Sequence, residues 1–336
     1  MAAGAFVSLI TLSACGSGSA ATQAHHSVTI GISFWSQDQK RYPFEAQLMT
    51  QEAEKNGDKV IVNYADNSAS TQASQVESMM QRGIDVLIID PLDPTAAGAV
   101  VTKAQAQGIK VIEYDQTVKG SKADYAVGRN NTDLGVAHAK AALAAVPSGK
   151  YAIIRGDEGT TAAHVIGKPY DDLIKTDPNV QVVYDKYTPS WSADGAQKEA
   201  EAALQKDPDI KAVVVTWDEG AQAVVSALKA DGKKPGDVFI TGTDASTPSL
   251  AYIAQGWQGQ TVWTPIDEMA TKAADIAHAF GTGVNPPAPD ATVDGVPQAY
   301  VHITSVTKSN LCDFVTKIAP KGWVNIHDVY GKDSCG

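Results

Sequence analysis

Four aspartates stand at or just past the ends of short apolar runs: Asp90 after Val86–Ile89, Asp115 after Lys110–Tyr114, Asp218 after Ala212–Val215 and Asp244 after Val238–Thr241. An ionised carboxylate only accepts hydrogen bonds, so it suits the hydroxyls of a polyhydroxylated ligand when donors and two-way amides stand beside it. Arg41 is the expected cationic donor, although it reads equally as a solvated arginine at a helix start. Gln116, next to Asp115, and Asn130, in the Gly128-Arg129-Asn130-Asn131 run, are the expected amides. Each aspartate taken alone has a plainer reading as a cap for the next helix. Asp115, Asp218 and Asp244 are read here as ligand-facing, and Asp90, followed by Pro91, as structural.

Sugar rings also expose C–H faces that flat side chains cover while their hydroxyl edges meet polar partners. Phe34, Trp35, Trp191 and Trp217 fall at strand ends or in the loops that follow. Phe34, Trp191 and Trp217 are expected to stack on ligand, and Trp263 to plug a core. His164, at the start of a helical segment, could reach the same cleft or simply lie on the surface. Catalytic patterns do not assemble: there is no G-x-S-x-G elbow, no G-x-x-x-x-G-K-S/T loop, no Cys/His pair at zinc spacing and no calcium loop. The expectation is a binding protein with no catalytic residue, no metal and no cofactor.

Such residues must be positioned by regular elements. From Val28 onward, short apolar runs alternate with segments of helical spacing, the pattern of βαβ units around a parallel sheet. Expected strands are Val28–Ser33, Val60–Tyr64, Val86–Ile89, Lys110–Tyr114 and Tyr125–Gly128, then Tyr151–Ile154, Val180–Tyr184, Ala212–Val215, Val238–Thr241 and Gln260–Trp263. Gly57, Gly83 and Gly108 end three of the intervening helices. A weak duplication, in which Ser74–Asp90 is echoed by Gln197–Asp218 and Gly108–Asp115 by Gly236–Asp244, calls for two similar α/β lobes. Open sheets of this kind bind ligands beyond the carboxyl ends of their strands, where the aspartates sit.

Residues Met1 to Ala14 are small or apolar and the first basic residue is Lys40, which reads as a signal segment. Leu12-Ser13-Ala14-Cys15 resembles a bacterial lipoprotein signal cleaved before a lipidated Cys15; an ordinary secretory signal is the alternative. The Gly/Ser-rich stretch 16–27 is a tether. Cys312 and Cys335 are then an even pair, expected as a disulfide clipping the tail in an oxidising compartment, with two free thiols as the alternative. A net charge of -11 without a basic cluster argues against nucleic acid as a partner.

The ordered segments Gln75–Leu87, Gly108–Asp115, Thr241–Asp244 and Thr261–Ile266 resemble the type I periplasmic sugar-binding proteins of ABC importers, in the xylose- and ribose-binding branch, over about Thr29 to Lys308. The resemblance implies two Rossmann-like lobes with parallel sheets, joined by three crossover strands. Residues 28–128 with about 265–297 would form the first lobe, 129–264 with about 298–310 the second, and 311–336 the tail. Its pocket would include Phe34 or Trp35, Arg41, Asp115, Asn130, Trp191, Trp217 and Asp244. Three positions depart from the family pattern: Gln116 replaces a common arginine, Trp217 a common asparagine, and Thr264 a lysine or glutamine of the last crossover.

The function implied is a monomeric extracytoplasmic receptor, anchored through Cys15 or periplasmic. It would close around a neutral pentose-like sugar or polyol and hand it to the membrane subunits of an importer. A receptor for a chemotaxis or sensor-kinase system is the alternative, and an α/β enzyme a third. A DNA-binding repressor built on such lobes would need a basic helix-turn-helix ahead of them, where this chain has signal and tether.

Overall fold

The structure is a computed structural model that describes Met1, residues 27–120 and residues 122–335. The signal segment, Cys15 and nearly all of the tether lie outside the described residues. Strands β1 (Thr29–Phe34), β2 (Lys59–Tyr64), β3 (Val86–Ile89), β4 (Lys110–Tyr114) and β5 (Tyr125–Arg129) alternate with helices α1 (Arg41–Lys55), α2 (Ala69–Gln81) and α3 (Pro94–Ala106). After α4 (Asn131–Ala145) come β6 (Gly149–Arg155), α5 (Thr161–Pro169), β7 (Val180–Tyr187), α6 (Ala193–Lys206), β8 (Ile210–Val215), α7 (Asp218–Ala230), β9 (Phe239–Ile240), α8 (Thr247–Gln255) and β10 (Gln260–Trp263). Helix α9 (Ile266–Gly281), β11 (Ala291–Val293), β12 (Val296–Val301), β13 (Thr304–Thr307) and the short helices α10 (Leu311–Asp313) and α11 (Ile326–Tyr330) complete the order.

The first sheet runs β11-β12-β5-β4-β3-β1-β2, parallel except for the β11–β12 hairpin. Strand β3 is buried at all four positions, as expected where helices cover both faces of a parallel sheet. A second sheet runs β7-β6-β8-β9, and a bridge between Thr243 and Val262 leads on to the antiparallel pair β10–β13. The chain crosses between lobes after β5, after β10 and after β12. Because Val296–Val301 pairs with β5 along Gln298 to Val301, the whole strand belongs to the first sheet, and the last crossing comes after 301 rather than at 297/298.

The glycines expected to end helices do so in the left-handed region, with φ of 79° at Gly57, 77° at Gly83 and 81° at Gly108. The helical segment expected over Ala162–Lys175 breaks at Pro169, which has no N–H for the ladder, and continues as a wider π-turn over Tyr170–Ile174. Among the described residues no helix is long and apolar enough to cross a membrane.

His138 of α4 is fully buried in the second lobe. Its Nε2 lies 2.9 Å from the Gly242 carbonyl and so donates, leaving Nδ1 to accept from the Tyr170 hydroxyl at 2.7 Å. Burial pulls its pKa down to about 4, against the opposing Gly242 contact, so the ring is neutral in the fold. A histidine whose pKa is depressed on folding contributes stability above about pH 6.5 that is lost as pH falls toward 4. Denaturant unfolding between pH 7 and 4 should therefore show a steeper loss for the wild type than for His138→Gln; equal slopes would refute this role.

Candidate ligand-binding site

The two lobes meet over Arg41, the first residue of α1, which is 4% exposed. Its Nη1 lies 3.3 Å from Asp115 Oδ2 in the first lobe and 3.2 Å from Asp244 Oδ1 in the second, while its Nε reaches Glu45 Oε1 at 2.8 Å one turn along the helix. Asp115 also takes Arg129 Nη1 at 2.6 Å. Burial alone would lower the Arg41 pKa, but Asp115, Glu45 and Asp244 together push it well above its usual value. Burial would likewise raise Asp115, yet Arg129 and Arg41 hold it below the ordinary carboxylate range. Burial, opposed by Arg41, raises Glu45 to about 7. Burial and Asp115 raise Asp90 well above its usual value. Two guanidinium groups thus face two strand-end carboxylates, and the surrounding acids add little charge.

Asp115 and Asp244 turn toward this centre through left-handed backbone, φ 60° and 99°, an uncommon conformation that aspartate tolerates better than most residues. The surrounding wall is aromatic. Trp35 donates its indole N–H to the Tyr42 hydroxyl at 2.9 Å. Trp191 and Trp217 meet at 5.6 Å with their planes at 84°, forming a corner rather than a parallel stack. Two glycines seat them: a Cβ on Gly156 would collide with the six-membered ring of Trp191, and one on Gly220 would come within 2.8 Å of Trp217. Ser190 and Trp191 both hold φ above 50°, strain of the kind concentrated at binding sites. The cavity is about 40 Å³, room for about three waters. Several buried polar atoms around it have no protein partner: Arg41 Nη2, Arg129 Nε, Gln116 Oε1, Trp191 Nε1 and Trp217 Nε1.

Of the residues expected from sequence, Trp35, Arg41, Asp115, Gln116, Trp191, Trp217 and Asp244 line this cavity together. The others do not. Phe34 is 1% exposed and packs among Tyr42, Tyr64 and Tyr114 in the first core, because the last residue of β1 points into the sheet's helix layer. Asn130 caps α4 by accepting from Thr132 N at 3.0 Å and faces a neighbouring cavity of about 370 Å³ beyond Gln116 and Arg129. His164 is exposed and bonds the Glu158 carbonyl at 2.7 Å. Thr264 is buried outside the cavity. Trp263, as expected, is core, packed on Phe314 and Trp323.

Asp218 is a brace rather than a ligand contact. It accepts from Ser246 N at 2.8 Å, Thr261 Oγ1 at 2.8 Å and Gln258 Nε2 at 3.3 Å, tying the loop that carries Asp244 to the start of β10. Gln39, Tyr42, Arg129, Ala162, Ile166, Thr216 and Thr243 line the cavity without having been singled out by sequence. Arg129 had a signal: it ends a strand two residues past Val127, whose side chain shares its face. Asp218→Ala would strand three donors in a dry site, and chemical denaturation should show a loss of about 3 kcal/mol or more; a change below about 0.5 kcal/mol would show the brace to be unnecessary.

Comparison with known proteins agrees with this architecture. Residues 28–283 match the family described as periplasmic binding protein domain. The D-xylose-binding periplasmic protein of Escherichia coli is 34% identical over 301 residues, covering 86% of this chain and 90% of the relative. The ribose import binding protein of Bacillus subtilis is 31% identical, covering 74% and 80%. Among solved structures, an ABC transporter solute binding protein from Clostridium phytofermentans with bound β-D-glucose superposes with a TM-score of 0.82 at 22% identity, covering 90% of this chain and 99% of that one, a likeness of fold. With two α/β lobes, three crossings and a charged aromatic cleft between them, the chain belongs to the periplasmic binding protein family.

Proposed function

We propose that this chain is the extracytoplasmic receptor of an ABC importer, without catalytic activity, and that it binds a neutral pentose-like monosaccharide or polyol in the cleft between its lobes. The observation that carries this reading is the balanced centre of Arg41, Arg129, Asp115 and Asp244 inside a wall of Trp35, Trp191 and Trp217. A charged ligand would leave that centre with an uncompensated buried charge, which is costly in a dry site. Neutral hydroxyls, each donor and acceptor, suit both the carboxylates and the unpartnered N–H groups. The relatives that bind xylose and ribose support the same class.

A cavity of about 40 Å³ is too small for a monosaccharide, so uptake requires the lobes to part and re-close around it. Lys119 Nζ approaching the Gly159 carbonyl at 3.5 Å marks another contact that such opening would break. The closed arrangement is then the form that importer membrane subunits recognise. Lipidation of Cys15 would hold a monomeric receptor at the outer face of the membrane. Outside the reducing cytoplasm, Cys312 and Cys335, with Cα atoms 5.7 Å apart, would form a disulfide.

A thermal-shift panel of pentoses, hexoses, pentitols, tetritols and inositols tests the ligand class, since a ligand that binds only the folded state raises its unfolding temperature. At least one neutral member should do so, and stabilisation by charged solutes alone would overturn the assignment. Asp115→Ala and Asp244→Ala should each weaken that ligand by about 2–4 kcal/mol in calorimetric titration, whereas a loss under about twofold (about 0.4 kcal/mol) would remove the residue from the site.

A further inference from the structure

The tail beyond β13 folds onto the second lobe: Leu311, Phe314, Trp323 and Val329 share a core with Leu250 and Trp263. Trp323 is 2% exposed, and its indole N–H donates to the Ala245 carbonyl at 2.9 Å. Its other contacts belong to the first lobe. Phe44 of α1 meets the Trp323 ring edge-on at 5.4 Å; the Lys40 ammonium lies 4.9 Å from the ring centroid and also donates to the Trp323 backbone carbonyl. Asp328 of α11 attracts the same ammonium.

These contacts run beside the ligand centre residue for residue. Lys40 precedes Arg41, and Ala245 follows Asp244, so the Lys40–Trp323–Ala245 link and the Arg41–Asp244 pair span the same gap between lobes one position apart. A cation over an indole is weak when exposed but gains strength when one side is desolvated, as here. We infer that the tail is a cross-lobe latch, in which Trp323 offers Lys40 and Phe44 a docking face that exists only when the lobes are closed. The bond between Cys312 and Cys335 ties the two ends of the tail together and so holds Trp323 in place. Trp323 is a positioning residue: it acts on the ligand through the Asp244–Ala245 turn and through the closed state, without touching the cleft.

The latch rests on the hinge-closing reading above but is testable without ligand. With one dye on α2 and one on α6, single-molecule energy transfer on the sugar-free protein reads the closed fraction directly. The wild type should populate it measurably; Lys40→Met, an exposed substitution outside the binding centre, and Cys335→Ser should each lower the closed-to-open ratio about fivefold, and Lys40→Arg should restore it. Lys40→Met should leave the unfolding temperature of the sugar-free chain within about 2 °C of wild type, which a merely structural role would not. A wild type that stays wholly open, or a Lys40→Met ratio within about twofold of wild type, overturns the latch. Failure of every neutral solute to bind, with the ratios shifting as stated, would instead remove the sugar-receptor reading and leave the latch standing.

Discussion

The arrangement of this protein turns on a single buried guanidinium. Arg41 is held from below by Glu45 and sits between Asp115 of one lobe and Asp244 of the other. Removing such a cation from water is expensive, and the cost is offset only when carboxylates surround it closely. One of those carboxylates comes from the opposite lobe, so the position of each lobe is part of the solvation of Arg41. Opening the cleft returns Asp244 and one side of Arg41 to water, which keeps the energetic gap between open and closed forms small. A receptor that must both capture and release needs that balance.

The lobes were legible in the sequence because parallel strands covered on both faces write themselves as unbroken apolar runs, and because glycines at helix ends mark the period. The site was legible only in part. Asp115 and Asp244 carry the same signature as Asp218, a carboxylate just past a strand, yet Asp218 is turned inward onto Ser246, Thr261 and Gln258. The difference lies in backbone: Asp115 and Asp244 adopt positive φ and Asp218 opens a helix, and neither state is encoded by the residue type alone. Phe34 and Trp35 are neighbours of similar character, and one step along the chain separates core from cleft. In Gly-Arg-Asn-Asn, the arginine faces the site while the asparagine caps a helix, since a side-chain amide so close to a helix start finds backbone N–H groups first.

What sequence reasoning had no means to reach is space. The tryptophan corner depends on the missing Cβ atoms of Gly156 and Gly220, each contributed by an element distinct from the indole it seats or one turn removed from it. Likewise, the role of Trp323 follows from where a tail of otherwise unremarkable composition comes to rest. Both are relations between distant or unpatterned positions, which periodicity does not report.

The path of the chain has a consequence for how the molecule is made. Strand β12 completes the first sheet beside β5, although some 170 residues, including the whole second sheet core, intervene between them. The N-terminal lobe therefore cannot finish folding as it emerges; its edge at β5 stays unpaired until nearly the entire polypeptide has been delivered. Exposed strand edges of that kind invite wrong partners. For a chain of this topology, delayed folding during passage across a membrane is an advantage, because neither lobe can lock shut before the last crossing segment has arrived.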